Sequence, residues 1–294
     1  KSVETAGAVP RGVLKVTAPL GLGRRVVAPL VPRFRARHGE TDVRLRLSEH
    51  LLDLVQEAVD VAVRLSQMRD STFTLQALHY LNLDWEADEF MQFVADLEVN
   101  EDGALQIMYG IDGRRDLTES TLDHLSGYAG AHPVRIGNRA YDQRQTDVYG
   151  AALDSIFLHT RRSQRLPRRL WPIVLAQAKC ASAVWREPDQ GIWEARGAPQ
   201  HYVSSKLMCW VALDRGSRLA DRIGDEERFD RWPKIADEIK ADILEKGVSE
   251  RGVFRQHYDT DALDASTLLV PLFRFLPARD ERVINTVKAI SEEL

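Results

Sequence analysis

Cysteine is scarce in this chain, with only 2 in 294 residues. Cys180 and Cys209 each lie in an apolar stretch with helical spacing, where buried, unreactive thiols are commoner than a disulfide or a metal pair. We therefore expect neither to be a nucleophile. Metal-binding spacing is missing too, since His201 and His257 belong to no HExxH motif and have no cysteine partners. The sequence predicts a protein without a bound metal or other cofactor.

Long apolar runs and a charge excess of one sign are also missing. A stretch such as 267–273 is far shorter than the ~20 apolar residues that cross a bilayer, so we expect no membrane partner. The 40 Lys and Arg against 44 Asp and Glu give a net charge of -4, which disfavours nucleic acid as a partner. No secretory signal pattern begins the chain, so a cytoplasmic location is the default expectation.

The N-terminal part has alternating strand and helix patterns within an ordinary globular composition of 44% hydrophobic and 29% charged residues. GVLKVTAPL predicts a buried strand, and two further strands are predicted at 43–47 and 60–66. One amphipathic helix pattern follows the first strand and another covers 51–59. Residues 12–66 therefore predict a βαβαβ segment with parallel strands.

Helical patterns dominate after residue 69, which predicts a mainly α chain in which a small α/β segment precedes an all-α domain. Asp84 and Ser204 are suited to N-caps, and Gly247 is suited to a C-cap. The predicted helices cover residues 71–81, 85–97, 142–160, 167–185, 204–223, 226–245, 261–276 and 280–293.

The N-terminal stretch PRGVLKVTAPLGLGRRVVAPLVPRFRARHG, followed by DVRLRLSEHLLDLVQEAVDVAVRLS, resembles the start of the effector-binding domain of LysR-type regulators. No second βαβ lobe follows it, so we expect a partial domain over residues 1–68. The resemblance implies an alternative function for the chain, as a non-catalytic, small-molecule-binding regulatory fragment.

The loops between the predicted helices are rich in aromatic, acidic and amide groups, as in WREPDQGIWEARG and FRQHYDTDALDAS. Aromatic faces stack on pyranose rings, while carboxylates and guanidinium groups hydrogen-bond sugar hydroxyls in a partly desolvated pocket. This mixture is typical of carbohydrate binding.

The same loops carry a second resemblance. RDSTFTLQAL, LQIMYGIDG, LDHLSGY, VRIGN, WREPDQGIWEARG, SSKLMCWVALDRG and QHYDTDALDASTLL, in this order over residues 69–294, resemble bacterial members of glycoside hydrolase family 15, the glucoamylase and trehalase family. The resemblance implies an (α/α)6 barrel, a toroid of helical hairpins, and inverting hydrolysis of α-glucosidic bonds. An α-glucoside or oligosaccharide is the implied substrate, and no cofactor is implied.

By resemblance, Glu194 is the general acid that protonates the leaving oxygen, and the adjacent Trp193 is a substrate-binding residue. A carboxylic acid beside an indole and away from bulk water is kept protonated, as this role requires. The alternative from the residues alone is a surface glutamate paired with Arg196. Ala195 stands where some family members carry a second acidic residue.

Five further residues match positions that bind substrate in the family. Arg69 and Asp70 in RDSTF match an arginine and an aspartate that bind sugar hydroxyls, although a salt-bridged turn explains them nearly as well. Asp147, Tyr258 and Asp264 match pocket-side loops or helix starts, and helix capping is an equal explanation for the two aspartates.

Inverting hydrolysis also needs a second carboxylate, roughly 6.5 to 9.5 Å from the acid, as general base. In the family this base follows the last helix predicted here, so we expect the domain at 69–294 to be a C-terminally truncated, partial toroid with little or no hydrolase activity. Uncovered apolar helix faces favour self-association, so a homodimer is expected.

Overall fold

A computed structural model describes residues 12–18, 23–47, 61–62, 75, 77–78, 81, 83–97 and 99–294. The chain divides into two compact units. The first consists of Lys1–Met68 and Leu78–Asp88, and the second of Arg69–Ala77 and Glu89–Leu294.

The first unit contains a three-stranded parallel sheet with the order β2-β1-β3. Its strands are β1 (Gly12–Ala18), β2 (Thr41–Leu47) and β3 (Val61–Ala62). A π-helical turn, Gly23–Val27, leads into α1 (Ala28–Arg37), which connects β1 to β2. The βαβ unit and its parallel pairing are confirmed, while the predicted helix at 51–59 lies outside the described residues.

The second part of the chain is mainly helical, as predicted. In the described residues, α2 is Asp84–Asp96, α3 is Asp147–Ser163, α4 is Trp171–Val184, α5 is Val203–Ile223, α6 is Glu226–Lys246, α7 is Leu269–Leu272 and α8 is Glu281–Glu293. A short antiparallel hairpin of β4 (Ser120–Thr121) and β5 (Arg135–Ile136), which was not predicted, lies between α2 and α3. None of the described helices is long and apolar enough to cross a bilayer.

Several predicted boundaries are wrong. The helix predicted at 261–276 is broken into a 3-10 turn, Ala265–Leu268, and the four-residue α7, because Pro271 lies within it and Arg274 adopts a left-handed φ of 62°. α3 begins at Asp147 rather than at 142, and α5 begins at Val203, so Ser204 lies inside the helix and is not its N-cap. Of the helix predicted at 71–81, residues 75, 77 and 78 are described and helical.

The core of the second unit is built around α5, which packs against α3, α4 and α6. Residues on every side of α5 are buried, as in a helix enclosed by others. Gly150 of α3 allows the closest approach: a Cβ added there would lie 2.3 Å from the carbonyl oxygen of Met208 in α5. The missing side chain therefore sets how close the two helix backbones come.

A buried ion pair also joins α3 to α5. Nε of Arg215 lies 2.6 Å from Oδ1 of Asp154, with side chains only 9% and 3% exposed. Burial raises the pKa of the Asp154 carboxyl, and the charge and hydrogen bond of Arg215 oppose that rise. Arg215 also donates to the carbonyl oxygen of Phe273 at 3.2 Å, so the pair ties the segment after α7 to both helices.

We predict that Gly150→Ala destabilises the protein. Alanine in place of glycine normally favours a helix by about 0.5–1 kcal/mol. Here the added methyl group would overlap a backbone carbonyl that has no rotamer to change, so we expect a net loss of about 2 kcal/mol or more in the free energy of unfolding. Urea unfolding followed by circular dichroism measures this loss.

The matched control is Gly216→Ala in α5. The three atoms nearest to a Cβ at that position belong to the side chains of Trp232, at 3.1 Å, and Leu153, at 3.3 Å, which can shift by a few tenths of an ångström. The loss should be smaller there. A Gly150→Ala variant more stable than the parent protein would refute the close approach of α3 and α5.

Candidate functional site

The buried carboxylate of Asp189 organises the loop that joins α4 to α5. Asp189 is 1% exposed. Its Oδ2 accepts hydrogen bonds from the backbone N–H of Thr146 at 2.7 Å and from the Thr146 hydroxyl at 3.0 Å. Its Oδ1 accepts from the Ser205 hydroxyl at 2.9 Å and from the backbone N–H of Gly191 at 3.2 Å. One side chain therefore joins the start of α3, the first turn of α5 and the turn at residues 190–195, which directly follows Asp189.

That turn carries Trp193 and Glu194. The carbonyl oxygen of Gly191 accepts from the N–H of Glu194, and that of Gln190 accepts from the N–H of Ala195, both at 3.2 Å. Gly191 has a φ of 68°, and a Cβ there would lie 2.7 Å from the Tyr202 ring. Glu194 itself has a φ of 54°, in the left-handed region that few non-glycine residues occupy. The predicted acid thus lies on a strained, well-anchored turn.

The carboxylate of Glu194 is half-buried and faces the segment that precedes α3. Its Oε2 lies 3.5 Å from Nδ2 of Asn138. Asn138 is held in turn by its own N–H, which donates to the carbonyl oxygen of Leu117 at 2.8 Å. Gln143 donates to the carbonyl oxygen of Ala195 at 3.3 Å, so a second contact links the two loops.

Trp193 presents its ring to solvent, at 62% exposure, while its indole nitrogen is fixed. Nε1 donates to both oxygens of Asp264, at 2.9 and 3.0 Å. Asp264 is buried and also accepts from the N–H of Ser266 at 2.7 Å and from the side-chain amide of Gln256 at 3.1 Å. Asp264 is therefore a helix cap, as the alternative interpretation held, and it also anchors the exposed indole.

Tyr258 lines a separate cleft of ≈ 600 Å³. Its hydroxyl donates to Oδ2 of Asp242 at 2.7 Å, and its ring stacks on that of His201. Other residues that line the cleft are Trp185, Arg186, Lys206, Asp242, Glu245, Lys246, Arg255 and Asp259. Trp193, Glu194 and Asp264, all within the described part of the chain, are not among these lining residues.

The polar groups of this cleft perturb one another. Burial raises the pKa of the Tyr258 hydroxyl, and its hydrogen bond to Asp242 raises it further. Burial alone would raise the pKa of the Asp242 carboxyl, but hydrogen bonds from Lys246 and Tyr258 outweigh it and hold that pKa below its usual range. Burial lowers the pKa of Lys206. Acidic and basic side chains line the cleft together, so it carries charges of both signs.

The loop before α7 is joined to the loop before α5 by backbone pairing. Tyr202 forms an antiparallel bridge with His257, and the N–H of Val203 donates to the carbonyl oxygen of Gln256 at 3.0 Å. This pairing and the Trp193–Asp264 contact connect the Tyr258 segment to the Glu194 turn.

The remaining predicted residues fall elsewhere. Asp147 is the first residue of α3 and follows Thr146, which is the N-cap, so Asp147 is not the cap. Arg69 and Asp70 lie outside the described residues.

Cys180 and Cys209 are free and buried, and burial raises the pKa of their thiols to about 11 and about 12. Within the described ranges, no group of three or more His, Cys, Asp or Glu side chains could hold a metal ion.

Asp189, Asn138 and Gln143 were not predicted as site residues. Two of them stand in a motif that was noted, Asn138 in VRIGN and Asp189 in WREPDQGIWEARG. A polar residue close to a glycine that needs a positive φ could have identified two of them: Asn138 directly follows Gly137, with a φ of 82°, and Asp189 lies two positions before Gly191, with a φ of 68°. No such glycine lies beside Gln143.

Comparisons with known proteins agree with both sequence resemblances. The family model described as Glycosyl hydrolases family 15 matches residues 64–294, and that described as LysR substrate binding domain matches residues 7–83. The chain is 57% identical over 234 residues to a trehalase from Mycobacterium tuberculosis, covering 79% of this chain and 34% of that protein. It is 54% identical over 234 residues to a trehalase from Mycolicibacterium smegmatis, covering 79% and 35%.

The chain thus spans about a third of the length of these two curated relatives. A solved structure described as a wild-type glycosidase superposes with a TM-score of 0.48 at 22% identity, covering 56% of this chain and 46% of that chain. Because the hydrolase family model matches most of the sequence, from residue 64 to residue 294, the chain belongs to glycosyl hydrolases family 15.

Proposed function

We propose that this chain carries the acid half of a trehalase-type glycoside hydrolase site, with Glu194 as the general acid. The observation that carries the proposal is the anchored turn on which the half-buried Glu194 directly follows the exposed Trp193 in the sequence. The identity of 57% and 54% to two trehalases supports an α-glucoside, trehalose first, as the substrate.

In the proposed reaction, the bond between C1 of the glucosyl unit and the leaving oxygen breaks as Glu194 transfers its proton to that oxygen. A water molecule attacks C1 from the opposite face and gives up its proton to a second carboxylate, which inverts the configuration. The proposal covers the acid step, and we assign the second carboxylate to no residue of this chain.

Trp193 supplies the apolar face of the proposed sugar subsite. An aromatic ring held by its polar edge loses little freedom when a pyranose stacks on it, so the Asp264 contact favours binding. Asp147, Tyr258, Arg69 and Asp70 remain proposed substrate-binding residues. Asp264 is proposed to act through its hydrogen bonds to Trp193.

We propose that the family segment begins near residue 69 and forms part of an (α/α)6 toroid, while residues 1–68 are a partial LysR-like segment. The parallel β2-β1-β3 sheet supports the second assignment. A regulatory, small-molecule-binding role for that segment is the second candidate function.

Homodimerisation stays a prediction, supported by exposed apolar side chains such as Leu272 at 66% and Val287 at 45%.

We predict that Glu194→Gln strongly lowers turnover of trehalose while binding is retained. The assay adds sodium azide, a small anion that attacks C1 without a general base and forms β-glucosyl azide. It therefore reports on the acid whether or not a second carboxylate is in place. Because an amide has no acidic proton to give the leaving oxygen, we expect azide-assisted turnover to fall about 10²- to 10⁴-fold. Chromatography of glucose and glucosyl azide measures the outcome.

Glu187→Gln is the matched control. Glu187 lies in the same loop, but its carboxylate is 52% exposed and pairs with Arg144. Turnover should be unchanged in this variant. Near-full turnover by Glu194→Gln would show that Glu194 is not the acid. If the unsubstituted chain makes neither glucose nor glucosyl azide from trehalose or maltose, the proposed function is rejected for this chain.

We also predict that Trp193→Ala weakens trehalose binding by about 10- to 100-fold, or about 1.4–2.8 kcal/mol, because the stacking face is lost. Calorimetric titration on a Glu194→Gln background measures this without turnover. Phe229→Ala, which removes a 43% exposed aromatic ring from α6, is the control and should leave affinity unchanged. Equal affinity in the Trp193→Ala and parent proteins would remove the indole from the subsite.

A further inference from the structure

The turn that carries Glu194 is hydrogen-bonded to one buried carboxylate, that of Asp189. Gly191 donates its N–H to Oδ1 of Asp189 at 3.2 Å, and the carbonyl oxygen of the same Gly191 accepts from the N–H of Glu194 at 3.2 Å. The backbone of Asp189 is itself fixed by two hydrogen bonds with Gln200, at 3.0 and 2.8 Å. Gly191 therefore links Asp189 to the left-handed Glu194 through its own N–H on one side and its own carbonyl oxygen on the other.

Asp189 is fitted to this position by its charge as well as its shape. Four donors converge on its two oxygens: two from Thr146, one from Ser205 and one from Gly191. Only an ionised carboxylate accepts at all of these points, because an amide replaces one acceptor oxygen with a donor. With the amide, the two hydroxyls can rotate to accept, but one of the two backbone N–H groups loses its partner.

The geometry decides which N–H would be lost. The Thr146 N–H lies at 2.7 Å and the Gly191 N–H at 3.2 Å, so an asparagine keeps the shorter bond and turns its amide nitrogen toward Gly191. The hydrogen bond that is lost is therefore the one to Gly191, in the turn that carries Glu194. The hydrogen bond from Thr146, which attaches the start of α3 to residue 189, is kept.

We infer that Asp189 is a positioning residue for the general acid: through Gly191, it holds Glu194 where its proton can reach the leaving oxygen. This inference rests on the proposed function of Glu194. Small displacements of a reacting group have large effects on rate, and a misplacement of about 1 Å can cost about 100-fold. Asp189 touches no reacting atom in this scheme.

The test compares Asp189→Asn with Asp154→Asn in the full chain. Asp154 is a second buried carboxylate, but it pairs with Arg215 in the middle of α3, so its variant controls for a general loss of stability. Two quantities are measured: hydrogen exchange of amides 190–195, and azide-assisted turnover of trehalose with kcat and KM separated.

For Asp189→Asn we expect exchange at 190–195 to be about tenfold faster or more, as for the loss of a hydrogen bond to a charged acceptor. We expect kcat to fall about 10- to 100-fold with KM little changed. Asp154→Asn should lower the melting temperature and leave both quantities unchanged. Ser205→Ala removes one donor to Oδ1, so it should give a smaller effect in the same peptide and serves if Asp189→Asn does not fold.

Two results would overturn the inference. Unchanged exchange at 190–195 in both Asp189→Asn and Ser205→Ala would show that Asp189 does not hold the turn. Faster exchange with an unchanged kcat, where Glu194→Gln lowers turnover as predicted, would show that the contact between Asp189 and the turn does not serve catalysis. If instead Glu194→Gln keeps its turnover, the proposed function fails and the catalytic half of this inference fails with it. The exchange data then decide only the structural half.

Discussion

The arrangement of the site depends on burying one carboxylate, Asp189, without leaving it unpaired. A buried charge is costly unless hydrogen bonds replace its hydration. Here the bonds come from Thr146, just before α3, and from Ser205, in the first turn of α5. Helix N-termini carry free N–H groups and a positive end of the helix dipole, so an anion between two of them is doubly favoured. Solvating this charge therefore brings α3, α5 and the Glu194 turn together.

The left-handed backbone of Glu194 is likewise maintained by hydrogen bonds from its surroundings. A non-glycine residue in the left-handed region costs about 1–3 kcal/mol and persists only where its surroundings over-determine it. Gly191, Gln190 and Gln143 supply those restraints from two loops. At Gly150, α3 packs closely on α5, and dense packing of this kind leaves little room for either helix to shift.

Periodicity predicted α6 and α8 because each has an apolar face to bury, and the predicted bounds of α5, α6 and α8 agree with the observed ones within a residue or two. It did not predict the start of α3, because Thr146, the residue before Asp147, is held by Asp189, which is 43 positions away in sequence. The Asn138–Glu194 contact spans 56 positions. Contacts at such separations leave no local pattern, so Asp189 and Asn138 were not predicted, whereas Glu194, the proposed acid, was predicted from its resemblance to a family motif.

Asp264 shows why a local explanation of a residue does not exclude a role at the site. From the sequence, capping and substrate binding were competing interpretations of one aspartate. A carboxylate has about four lone-pair sites, and the Ser266 N–H uses only one of them. The others hold Trp193 and Gln256. Because a cap residue is fixed by the helix that it begins, whatever binds its free lone pairs is fixed too. The start of the 3-10 turn Ala265–Leu268 therefore fixes the polar edge of the exposed indole.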